Sequence, residues 1–381
     1  MTMSENLTVW KTFWSGFKTF QRTGTTPEAA YPAMRRLFVV SNGWFNDVFH
    51  YLYCLNKPAR SLPSKASILA NDPGLICFEP REIERALQAL NKDGYYVLSN
   101  RLDKSYLDRL MNFATTTPCV LQYDSANVRN SMAEDSMKPS GDEVLAVQAM
   151  GHAINTDIVF DADQLMATNY RFTEENVLNN EAVQNLMADP GFVDLAQRYF
   201  KSHAVFTTIS AWWTTTFRCE KPSSSLAQLY HFDMDRIKFL KMFCYLTDVG
   251  PGDGPHCYVK GSCKRKPKAL RRDGRFSDEE VESNYPAADL IEFTAPRGTV
   301  IIEDTRGFHK AKMPTTGNRL ILEFELASCL FGPPYPKSSF EVKTPALQSA
   351  LKQNPSIWSN FRIRAKASEK RNLALAGQSQ N

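Results

Sequence analysis

QLYHFDMDRIKFLKMFCYLTDV, residues 228–249, sets His231 two positions ahead of Asp233 in a chain with only six histidines, then runs into a strand-like series of aromatic and aliphatic residues. Side chains two apart on an extended segment share a face, so an imidazole and a carboxylate at this spacing can reach one point. That is metal-ligand spacing, with Asp235 as a competing carboxylate that the more compact His-x-Asp pattern disfavours. Any further ligand has to come from elsewhere in the chain.

The second piece is GTVIIEDTRGFHKAKMPTTGNRLILEFELAS, residues 298–328. A strand ends at Asp304, a turn through Gly307 presents His309, and Arg319 begins another strand ten residues later. His231, Asp233 and His309 together make two histidines and one carboxylate, the facial set that leaves three positions open on Fe(II). Arg319 adds a planar fork able to grip the distal carboxylate of a dicarboxylate cosubstrate. If the strand phase holds from His231, then Ile237, Phe239, Lys241, Phe243 and Tyr245 face inward, and Lys241 is a second cationic contact for the cosubstrate. A turn after Asp235 breaks that phase. Gln228 is expected at the cavity wall, within reach of cosubstrate or substrate. In the last strand Leu320, Leu322, Phe324 and Leu326 form an apolar face opposite Arg319, Glu323 and Glu325, which fits a small jelly roll packed under helices.

Around these pieces the second half repeats short β-branched and aromatic runs, AVFTTISAWWTTTF, HCYVKGS and LIEFTAP among them, punctuated by GPGDGP and APRG turns. This is the texture of an antiparallel sandwich or barrel. Rossmann, P-loop and GxSxG signatures are missing, which removes nucleotide-fold and serine-hydrolase readings. The first half reads as helices at 8–20 and 43–55, a linker at 57–67, a helix–strand–helix unit from about 80, and a polar, turn-prone stretch at 124–145 that has the character of a binding loop or lid. The helix at 8–20 is expected to dock on the body, with an interfacial, lipid-touching role as its rival. Residues 260–275 carry eight basic residues against Asp273, expected as a solvated loop whose rival role is to attract anionic substrates.

The balance of 45 basic and 41 acidic residues singles out no nucleic-acid partner. No run of 18 apolar residues and no secretory signal pattern is present, so a cytoplasmic location is expected. Eight scattered cysteines without a CxxC pair predict free, mostly buried thiols, and His256, Cys257 and Cys263 lack a fourth partner for structural zinc. His152, His203 and His256 read as structural, with His256 the best placed of them to touch substrate.

On these motifs (QLYHFDMD, FLKMFCYLTDV, GPHCYVKGS and DTRGFHKAKMPTTGNR) residues 80–330 resemble the phytanoyl-CoA dioxygenase-like Fe(II)/2-oxoglutarate oxygenases. The resemblance implies a mainly β fold with flanking helices, built on a double-stranded β-helix (jelly roll, cupin-like) core at 80–335. A helical extension at 1–79 and a C-terminal helix with a polar tail at 336–381 complete the expected organisation. It also implies iron held by His231, Asp233 and His309, 2-oxoglutarate at Arg319, O2 as oxidant, and succinate and CO2 as co-products. Two positions depart from the family pattern: Cys263 replaces a histidine after VKGS, and Ala311 stands where a hydroxyl residue sometimes flanks the cosubstrate. The expected function is oxidation of a small organic substrate, with anionic and lipid-like candidates left open. The rival class is a non-catalytic jelly-roll binding or scaffold protein. A halogenase needs the carboxylate position vacant, so Asp233 argues for hydroxylation or a related oxidation.

Overall fold

The computed structural model describes residues 3–55, 57, 80–122, 154–155, 157–217 and 219–364; the expected loop at 124–145, all of the linker except Lys57, and the tail beyond 364 lie outside them. Three helices open the chain: α1 (Met3–Thr23), α2 (Ala30–Ser41) and α3 (Trp44–Cys54). The aromatic spacing in α1 puts Phe13 and Phe17 on one face, and both are buried with Phe45, Phe49, Ile237 and Phe331. Edge-to-face contacts, such as Phe13 on Phe331 at 5.5 Å and Phe17 on Phe331 at 5.3 Å, tie α1 to the main body. Trp10 and Trp14 stay partly exposed, and no helix among the described residues is long and apolar enough to cross a membrane.

The helix–strand–helix unit follows as α4 (Pro80–Lys92), β1 (Tyr95–Val97) and α5 (Lys104–Thr116). Gly94 stops α4 with φ 90°, and the Asp103 side chain caps α5 by accepting from the Ser105 N–H at 2.8 Å. Next come β2 (Val120–Gln122), β3 (Ile154–Asn155), β4 (Asn169–Arg171), α6 (Glu174–Leu178), α7 (Glu181–Met187) and α8 (Pro190–Phe200). The β-rich half contains β5 (Val205–Thr214), β6 (Phe239–Tyr245), β7 (His256–Val259), α9 (Asp278–Glu282), β8 (Leu290–Phe293), β9 (Val300–Glu303), β10 (His309–Ala311) and β11 (Arg319–Ala327). It is followed by β12 (Ser339–Glu341), α10 (Pro345–Gln353) and β13 (Arg362–Arg364), with β12 and β13 paired in parallel.

The large sheet runs β1-β9-β6-β11-β5-β4-β2-β3, and the small sheet β10-β7-β8 is extended beyond β10 by a bridge from His231 to His309. Counting along the chain from β5, with the bridge segment second, the first, third, sixth and eighth strands lie in the large sheet. The others lie in the small one. That alternation is the jelly roll, and it explains how His231 and His309, distant in sequence, become neighbours.

Alternation along β11 then sorts the side chains. Leu320, Leu322, Phe324 and Leu326 join Leu240, Met242 and Ile302 in the core that also takes α4, α5, α7 and α8. Each fully buried side chain of this kind contributes about 1.5–3 kcal/mol. The opposite face carries Ile321, Glu323 and Glu325, whose cross-strand partners are Tyr245, Phe243 and Lys241. The inward phase starts at Phe239, not at Ile237: residues 235–238 bend, and Ile237 joins the N-terminal helices instead.

Within the basic segment, Lys266 departs from the expected solvated loop. It is buried, donates to the carbonyls of Ser262 at 3.2 Å and Arg306 at 2.6 Å, and its ammonium lies 4.5–5.2 Å from the rings of Phe38, Phe232 and Phe308. Burial pushes its pKa down to about 7. Because the unfolded chain keeps this proton up to the ordinary lysine range, the unfolded state binds more protons above about pH 7, and the lysine's contribution to stability rises with pH. The unfolding free energy of the wild type relative to Lys266→Met is expected to grow by ~2 kcal/mol between about pH 6 and about pH 8.5 in denaturant titrations. A constant difference would mean that Lys266 does not titrate in that window.

Candidate metal centre

His231 and His309 form a hydrogen-bonded antiparallel pair: His231 N–H donates to the His309 carbonyl at 3.0 Å, and His309 N–H to the His231 carbonyl at 2.9 Å. Directly opposed residues point to the same face, so their rings lie side by side with centroids 4.2 Å apart. Asp233 is pinned by its N–H donating to the Thr305 carbonyl at 2.8 Å. One ligand atom from each of the three falls within 4.8 Å of the others. The Asp233 carboxylate lies 3.7 Å from His231 Nε2 and 3.4 Å from His309 Nε2.

Each ring has its other nitrogen engaged. His231 Nδ1 lies 3.0 Å from the Leu229 carbonyl and His309 Nδ1 lies 3.0 Å from the Gly307 carbonyl. A carbonyl only accepts, so these contacts place a proton on Nδ1 of each ring and turn Nε2 of both toward the shared point. Gly307 makes this possible at His309, since a Cβ there collides with the Tyr258 hydroxyl and with Ser262 Oγ. Burial, reinforced by His309, pulls the His231 pKa well below the ordinary imidazole range. Burial works against the Asp233 carboxylate, yet Lys241 and His309 outweigh it and keep the group ionised.

Lys241 faces inward as expected, into a ring of acids: Asp233 at 3.0 Å, Asp235 at 3.5 Å, Glu323 at 3.6 Å and Glu325 at 3.7 Å. Even with Glu325 holding its proton around neutral pH, one ammonium among the other three acids leaves an excess of negative charge that suits a divalent cation. Burial also pushes Glu325 and Glu303 up to about 8. Glu303 bonds His256 at 2.9 Å, and that ring lies over Phe243 at 4.7 Å. Among the acids, Glu303 was missed in the sequence; its strand parity with Lys241, its direct partner on β6, was the available signal.

Arg319 is buried at 1% exposure and donates through Nη1 to the Gly254 carbonyl. Among the described residues its Nε has no partner and no carboxylate pairs with it. A guanidinium so enclosed without a counter-charge suits an anionic ligand. Gln228 is also buried: its Oε1 accepts from the Ser223 N–H at 2.8 Å, while its Nε2 has no partner among the described residues.

A family model described as phytanoyl-CoA dioxygenase (PhyH) matches residues 90–319. No curated protein matches the chain. Among solved structures it is similar to SnoN, a non-heme alpha ketoglutarate dependent epimerase from nogalamycin biosynthesis, at 14% identity, covering 65% of this chain and 84% of that one with a TM-score of 0.41. It is similar as well to HygX from Streptomyces hygroscopicus with nickel, 2-oxoglutarate and hygromycin B bound, at 16% identity, 69% and 93% coverage and a TM-score of 0.38. EctD from S. alaskensis in its apoform compares at 15% identity, 74% and 88% coverage and a TM-score of 0.39.

Proposed function

The chain belongs to the phytanoyl-CoA dioxygenase family, and on that premise we propose that it is an Fe(II)- and 2-oxoglutarate-dependent oxygenase acting on a small organic substrate. The observation that carries the reading is the convergence of His231, Asp233 and His309 with both Nδ1 atoms tied back to the chain. This donor set fits ferrous iron and leaves coordination positions for other ligands. Bound iron supplies the redox centre at which O2 and 2-oxoglutarate are consumed, with succinate and CO2 released as the substrate is oxidised.

The remaining roles belong to this chain's side chains. Arg319 holds the distal carboxylate of 2-oxoglutarate in its fork, and Gln228 Nε2 is a further donor for a bound carboxylate. Lys241 is a weaker cosubstrate anchor than Arg319, since four carboxylates already surround it. Its ammonium offsets the acids around Asp233, so that the metal ligand stays ionised beside them. The purified chain is expected to bind one equivalent of Fe(II) and to release succinate with matched O2 uptake once 2-oxoglutarate is supplied. Failure to bind iron in calorimetry overturns the reading. The 3.0 Å contact between Lys241 and Asp233 favours one rival, a metal-free jelly roll in which the ammonium replaces the metal's charge. That rival predicts neither iron nor 2-oxoglutarate binding.

A further inference from the structure

A cavity of about 630 Å³ lies away from the triad, between α3, the end of α4, the end of α8 and the segment after β9. That is an ordinary size for a small-molecule site. Neither the triad nor Arg319 lines it. Its apolar wall is formed by Tyr51, Leu55, Leu90 and Phe200, of which Tyr51 and Leu55 are strongly exposed. Its charged wall sets four cations, Lys201, Lys238, Lys264 and Arg306, against two acids, Asp47 and Asp304.

The two acids are already committed. Asp304 accepts from Arg306 Nε at 2.9 Å, from Arg306 Nη2 at 2.6 Å and from the Tyr199 hydroxyl at 2.6 Å. Asp47 accepts from Arg306 Nη1 at 2.9 Å. Arg306 therefore consumes both carboxylates, and Lys238 is left over. Its side chain is only 14% exposed, and its ammonium sits 4.4 Å above the Tyr199 ring and comes no closer than 3.9 Å to Asp304 Oδ2. It makes no hydrogen bond with any described residue, so its donors lack an acceptor in a mostly enclosed place. Burial and the neighbouring Arg306 outweigh the attraction of Asp304 and Asp47 and push its pKa down to about 8, the direction expected of a cation whose counter-charges are engaged elsewhere.

We propose that this cavity is a second binding site, for an organic anion: a carboxylate or phosphate monoester that meets the Lys238 ammonium and lays an apolar body on Tyr51, Leu55 and Phe200. The chemistry separates it from the metal centre, where acids predominate, and no part of the inference depends on the oxygenase reading. His50 strengthens the apolar side, because burial lowers its pKa to about 4 and Nε2 is occupied by the Phe200 carbonyl at 2.8 Å, so it adds no charge.

The test is calorimetric titration of the full chain at fixed ionic strength with octanoate, octyl phosphate and octylamine, which share a tail and differ in head group. At least one of the two anions is expected to bind with one-to-one stoichiometry, and octylamine not to bind. Lys238→Met is expected to weaken the anion by about ten- to a hundredfold, the loss typical of one charge-assisted hydrogen bond, with Lys238→Arg recovering part of it. Leu55→Glu, at an exposed rim position where folding is not at stake, is expected to weaken it as well. Arg319→Ala is expected to leave it unchanged, which distinguishes this cavity from the cosubstrate pocket. Binding of octylamine as tightly as the anions, unaltered affinity in both Lys238→Met and Leu55→Glu, loss of binding in Arg319→Ala, or no binding of either anion at millimolar concentration overturns the proposal.

Discussion

Asp233→Ala, His231→Ala and His309→Ala are each expected to bring succinate release and O2 uptake to background while the circular dichroism spectrum keeps its native form. Each substitution removes one of three donors from the proposed iron site, so bound iron is expected to lose affinity and its fixed geometry together. The apolar core is spared because none of the three side chains packs in it. Asp233→Ala carries the sharpest prediction. It removes the carboxylate of the triad and leaves Lys241 to Asp235, Glu323 and Glu325, which turns the ammonium toward those acids. Iron binding, measured separately, is expected to fall in parallel with turnover. Wild-type activity in Asp233→Ala sinks the assignment of the metal centre.

The triad was legible in the sequence because each part obeys a local rule. His231 and Asp233 share a face by strand parity, and the Gly307 turn presents His309 at the head of a strand. The inward Glu323 and Glu325 were legible for the same reason. Partners that meet only in three dimensions were not. Asp304 bonds Tyr199, 105 positions away, and Asp47 meets Arg306 from 259 positions away, so nothing along either segment marks a buried charge network. Lys266 shows the complementary failure. In a run of basic residues it reads as solvated, yet three phenylalanines from separate segments enclose it. The break at residues 235–238 follows from the N-terminal helices claiming Ile237, a tertiary preference that overrides strand phase.

Arg319→Ala is expected to raise the KM for 2-oxoglutarate while stoichiometric iron binding stays intact. The guanidinium is buried at the start of β11, and among the described residues its Nε has no partner and no carboxylate pairs with it. Truncating one partner of such a buried charge pair costs roughly 2–5 kcal/mol, or about thirtyfold to a few thousandfold in affinity. The loss is expected to fall on binding because, in the proposed function, Arg319 meets the end of the cosubstrate remote from the reacting carbon, whereas the proposed metal triad is untouched. Arg319→Lys is expected to recover only part of it, since an ammonium restores charge without the paired donors of the fork. Lys241→Met provides the contrast. Were Lys241 the anchor, its loss would raise the KM by a similar factor and Arg319→Ala would not. Arg319→Ala binding 2-oxoglutarate as the wild type does, with Lys241→Met impaired, transfers the anchor to Lys241; both variants binding as the wild type means that the cosubstrate has been misassigned.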